Sequence, residues 1–112
     1  MPDTPKAHTR FLEEFPAVAA AYQNLGAAAH AGGPLDQRAR QLVKLALAIG
    51  AGHEGAVHAH TKKALALGLT PAELKHIVAL AVTTLGLPNA VAAYTWINDI
   101  VDRAEAKPTE PS

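Results

Sequence analysis

Thr70-Pro71-Ala72-Glu73 constrains this chain more than any other stretch. The threonine hydroxyl can cap a helix. Proline suits the first helical turn, where its missing N–H would be unbonded anyway. A glutamate three residues past the cap can reach back to the cap's own N–H. Behind this start, Leu74, Ile77, Val78, Ala81, Val82 and Leu85 recur at steps of three and four. That is the period of a helix with one apolar face. Gly86-Leu87-Pro88-Asn89 breaks the pattern. One helix thus has a marked start, face and end, and the rest of the chain must supply something to cover that face.

The rest is punctuated in the same way. Residues 1–10 read as a polar arm. Phe11, Phe15, Val18, Tyr22 and Leu25 form a helical stripe, with Pro16 inside it. Proline is best tolerated in a first turn, so a helix is expected from Pro16 to about Ala29, after a short turn holding Phe11 and Phe15. His30 to Pro34 reads as a loop. Asp36 can cap a helix whose apolar face would be Ala39, Leu42, Val43, Ala46 and Leu47, with Gln37, Arg38, Arg40, Gln41 and Lys44 as its polar positions. Gly50-Ala51-Gly52 ends it. A further helix runs from Glu54 to Leu67 and stops at Gly68, a position glycine favours. The last helix, Asn89 to Ala104, carries Ala93, Trp96, Ile97, Ile100 and Val101. No stretch reads as a strand. The expected fold is all-α, a bundle of five helices with short connections and antiparallel neighbours.

Apolar residues make up 49% of the 112 and aromatic residues only 4%, because alanine supplies much of the apolar share. Small side chains fill little volume, so the helices must approach closely or bury further surface between subunits. Ten basic residues balance ten acidic ones, which points to neither nucleic acid nor a membrane surface as partner. The chain has no cysteine. Thiolate nucleophiles, disulfides and thiol redox cycles are therefore excluded. No apolar run reaches the length of a membrane span, and the polar N-terminus lacks a signal core. The expected location is the cytoplasm.

Groups able to do chemistry concentrate between Gly50 and His60. This stretch holds His53, Glu54, His58 and His60. At about 100° per residue, His53 and His60 share one helical line with Ala56, Val57 and Ala64, the side expected to face the core. Glu54 and His58 are four apart on an adjacent line and can pair. A histidine near a carboxylate suits proton transfer to or from carbon. A metal site would have two ligands in Glu54 and His58, fewer than the three protein ligands usual for catalytic zinc. A pH-sensitive ion pair is a third reading. The plainest is a solvated His58, an N-terminal His53 and a hydrogen-bonded core His60. His76 reads as a boundary residue, and His8 and His30 fall in the arm and a loop.

The order of motifs carries more than any one of them. Leu35-Asp36-Gln37-Arg38-Ala39-Arg40-Gln41-Leu42 opens a helix. His53 to His60 follows, then Ala66-Leu67-Gly68-Leu69-Thr70-Pro71-Ala72-Glu73-Leu74, then Leu85-Gly86-Leu87-Pro88-Asn89-Ala90. The succession resembles the carboxymuconolactone decarboxylase family, whose superfamily includes the AhpD-type alkylhydroperoxidases. The resemblance implies a homo-oligomer, a trimer or hexamer, of a helical domain over residues 11–104; the polar composition on either side reads as an arm at 1–10 and a disordered tail at 105–112.

In the hydroperoxidase branch a Cys-x-x-Cys-x-x-x-His motif does the chemistry, with a glutamate twelve residues before the first cysteine. Matching its histidine to His60 puts the cysteines at His53 and Ala56 and the glutamate at Gln41. Only the histidine is retained, so the chain resembles a cysteine-free member, and the resemblance implies no thiol peroxidation even if members of the family are called peroxiredoxin-like. The decarboxylase branch also lacks the cysteines, and Glu54 and His60 fit its pattern. The resemblance therefore implies a lyase-like protein acting on a small organic acid or lactone by histidine-assisted proton transfer. His60, Glu54 and His58 are its candidate catalytic residues. Gln41 and His53 are candidates for substrate binding, and no metal or other cofactor is expected. The alternative is a non-catalytic oligomeric scaffold of the same superfamily, binding a metal or cofactor.

Overall fold

A computed structural model of the chain describes residues 6–106. It contains six helices: α1 (Lys6–Glu14), α2 (Pro16–Ala31), α3 (Gln37–Ala51), α4 (Glu54–Ala66), α5 (Pro71–Leu85) and α6 (Leu87–Ala106). No strand occurs among the described residues. The expected all-α fold holds, with one helix more than the five expected. The turn expected at Phe11 and Phe15 is a nine-residue helix of its own, and it takes in Lys6 to Arg10 of the expected arm. Pro16 starts the next helix, as its lack of an N–H requires. The last helix begins at Leu87 and continues through Glu105 and Ala106. The remainder of the expected tail, 107–112, lies outside the described residues, as do the first five residues of the arm.

The caps behave as their chemistry dictates. Asp36 accepts a hydrogen bond from the Ala39 N–H at 2.8 Å. Thr70 accepts from Glu73 N–H, and the Glu73 carboxylate accepts from Thr70 N–H, closing the box reciprocally. Arg38 of α3 pairs with the same carboxylate, tying α3 to the start of α5. Between α3 and α4 the chain turns in two residues. Gly52 takes φ 69°, a left-handed conformation that costs glycine nothing, and its N–H returns to the Ala48 and Ile49 carbonyls.

The core lies within α3–α6. Leu45, Ile49, Val57, Ala64, Leu74, Val78, Ala90, Ala93, Ile97 and Val101 are buried, with Leu69 closing the loop between α4 and α5. Helix α3 packs on α4 and α5, and α6 packs on α4 and α5. Alanines at Ala64, Ala90 and Ala93 let these helices approach closely.

Two expectations about faces need correction. The α3 face facing the core is Gln41, Leu45, Ala48 and Ile49, whereas Val43, Ala46 and Leu47 are exposed. Helix α3 is apolar almost all round from Leu42 to Ile49, so periodicity alone picked the wrong side. Gln41, read as a polar surface position, is buried because its amide has a partner on α4. In addition, α2 buries no residue. Phe11, Phe15, Val18, Tyr22 and Leu25 form the anticipated stripe, but all five are exposed among the described residues.

Candidate functional site

The short Gly52 turn brings the start of α3 beside the end of α4. Gln41 Nε2 lies 2.9 Å from His60 Nδ1 and 3.4 Å from the His60 carbonyl oxygen. A carbonyl oxygen only accepts, so the end of the Gln41 amide facing it is the NH₂. The ring nitrogen beside that NH₂, Nδ1, then accepts as well, and Nε2 carries the imidazole proton. Burial holds the His60 pKa below its usual value, and the ammonium groups of Lys63 and Lys44 push it the same way. At neutral pH the ring is therefore uncharged.

Gln41 also lines a cleft of about 310 Å³, with His30, Gln37, Arg40, Lys63, Ala66 and Leu67. No carboxylate is among these lining residues. Arg40 is held by a 2.7 Å bond to the Leu35 carbonyl. Lys44, one turn beyond Arg40, reaches His30 Nε2 at 2.8 Å. The Lys44 charge keeps the His30 pKa low. Burial lowers the Lys44 pKa, and Lys63 and Arg40 add to the effect. Arg40 and Lys63, both on the cleft wall, thus raise the cost of charge on Lys44. An anion seated in the cleft would meet Arg40 and Lys63 and ease the repulsion they exert on Lys44.

The candidates expected in one cluster fall into two. His58 is two residues from His60, about 200° around the helix, and points to α6. Its Nε2 lies 3.0 Å from Asp99 Oδ2 and 4.0 Å from Glu54 Oε2. Among the described residues no hydrogen bond or ion pair joins His60 to Glu54 or His58. His53 takes the N-cap position of α4 without a side-chain capping bond and is exposed.

Sequence reasoning missed Asp99, Lys44, Lys63 and His30. Asp99 is 41 residues from His58, and only tertiary structure joins them. The Arg40/Lys44 step of four is visible on α3, where the sequence marks both only as polar positions of the helix.

Among the described residues no helix is long and apolar enough to cross a membrane. Comparison with curated proteins and with solved structures finds no match. The family model described as "Carboxymuconolactone decarboxylase family" matches residues 16–99. That span covers α2 to α5 and reaches Asp99 of α6, well over half the chain. With its order of motifs, its all-helical bundle and its lack of cysteine, the chain belongs to the carboxymuconolactone decarboxylase family.

Proposed function

We propose that this protein acts as a decarboxylase-like lyase on a small organic acid or lactone, with His60 transferring the proton. The observation that carries this reading is the Gln41–His60 pair beside a cleft that Gln41 lines together with Arg40 and Lys63. The cations would hold a carboxylate of the substrate. When CO₂ leaves, its bonding electrons stay on carbon, and that carbon then needs a proton.

Free His60 is neutral. A bound anion offsets the positive charge that lowers its pKa, which moves the imidazole towards a range where it can take up a proton and hand it on. Gln41 suits this change. It donates to the neutral ring through its NH₂, and by turning its amide it offers a carbonyl to the charged ring. Its position on the cleft wall also allows it to donate to a developing enolate oxygen.

The working molecule is read as a homo-oligomer, a trimer or hexamer, in the cytoplasm. The uncovered stripe of α1 and α2 supports assembly, as does an apolar groove of about 550 Å³ between α3 and α5, lined by Leu42, Val43, Leu47, Ile77 and Leu80. Light scattering on a sizing column tests this, and a monomer at micromolar concentration would overturn it.

The chemical reading is tested by screening small carboxylic acids and lactones for CO₂ release, then repeating the best substrate with His60→Ala. Loss of turnover in that variant is expected. Unchanged turnover would sink the assignment.

A further inference from the structure

The other histidine pair on α4 has a chemistry of its own. His58 stands between two carboxylates, Glu54 one turn earlier on α4 and Asp99 on α6. One ligating atom from each residue lies within 4.8 Å of the other two. The His58 side chain is 21% exposed, Glu54 58% and Asp99 40%, so an ion can reach the cluster from solvent.

We propose that Glu54, His58 and Asp99 form a binding site for a divalent transition metal of the zinc class, clamping α4 to α6.

Two features carry this. The first is ligand type. One imidazole with two carboxylates is a donor set that zinc accepts, and three protein ligands with an open fourth position is its usual coordination where it also meets solvent or substrate. The second is spacing. Nitrogen and oxygen ligands at about 2.0–2.2 Å from a tetrahedral zinc stand roughly 3.4 Å from one another. The His58–Asp99 and His58–Glu54 separations of 3.0 Å and 4.0 Å bracket that value, and the Glu54–Asp99 separation lies within 4.8 Å.

The site is separate from the Gln41–His60 pair, which faces the other side of α4. It does not depend on that pair being catalytic.

The test is isothermal titration of chelator-treated protein with zinc chloride, repeated with magnesium chloride. One zinc per chain is expected, with no saturable magnesium binding. His58→Ala and Asp99→Asn should each weaken zinc by at least about tenfold. Glu54→Gln, at the most exposed of the three positions, gives the same readout if His58→Ala fails to fold. His76→Ala, an exposed histidine on α5, should bind as the parent does. Zinc should also raise the melting temperature of the parent but not of Asp99→Asn. Zinc affinity unchanged in Asp99→Asn and Glu54→Gln, or binding lost in His76→Ala instead, would overturn the proposal.

Discussion

Helix α4 presents two histidines two residues apart, and their surroundings differ in every respect that matters for chemistry. His60 faces α3, is half-buried, meets an amide and lies in a field of cations. His58 faces α6 and meets two carboxylates. The same side chain is driven towards its neutral form on one face and supplied with anionic partners on the other. Identity and local sequence therefore say little about a histidine's role. What decides it is which neighbouring helix the residue faces.

The sharpest way to break this contrast is to remove each ring in turn. His60→Ala should lower turnover of a carboxylate substrate by about 10²–10⁴-fold, the usual worth of a positioned acid–base group. His58→Ala, assayed alongside, should stay within a few-fold of the parent. Equal losses in the two variants would show that the faces act together.

A smaller effect probes the cations. Arg40→Ala and Lys63→Ala should each raise KM about tenfold by removing one charge-assisted bond to an anion, while kcat moves less. The KM of both parent and variants should rise with salt, more steeply for the parent.

Smaller still is a pH effect on stability. The folded-state pKa of His60 lies below its ordinary 6.5, so the unfolded chain binds the extra proton first. This contribution is complete above 6.5 and is lost as pH falls from there through the folded value. Denaturant unfolding across that window should show the slope in the parent and a reduced slope in His60→Gln. Histidine titration by NMR should place the His60 midpoint below that of an exposed histidine, and Lys63→Ala should move it up.

The mildest test lies away from both faces. Thr70→Ala should cost about 1 kcal/mol of stability through the lost cap, without altering KM or zinc affinity.

Much of the fold could be read from residues whose effect is local. Asp36, Thr70, Glu73, Gly52 and Gly86 mark helix ends through their own chemistry, and the structure uses them as caps or breaks. Boundaries slipped where a rule tolerates two outcomes. Pro88 fits an early helical turn, so α6 starts at Leu87. The face of α3 was illegible because apolar residues surround it. Of the candidate site, the Gln41–His60 partnership was legible only as an alignment, through the positions that a glutamate and a histidine hold in the family motif. The Glu54–His58 pair was legible as a step of four. Asp99 was not, because nothing in a sequence tells which residue of α6 will stand opposite α4. The cation cluster was missed for a related reason. Lys63 and Arg40 are ordinary surface residues until the Gly52 turn folds α4 back on α3.

That turn also sets an order of assembly. The Gln41–His60 contact spans 19 residues and the His58–Asp99 contact 41. Closing the longer loop costs about 0.7 kcal/mol more in chain entropy, and it must wait for α5 and α6 to dock. The α3–α4 hairpin can therefore hold its glutamine–histidine pair while the far helix is still searching. Pulse-labelled hydrogen exchange during refolding should find amides around Gln41 and His60 protected before those around Asp99.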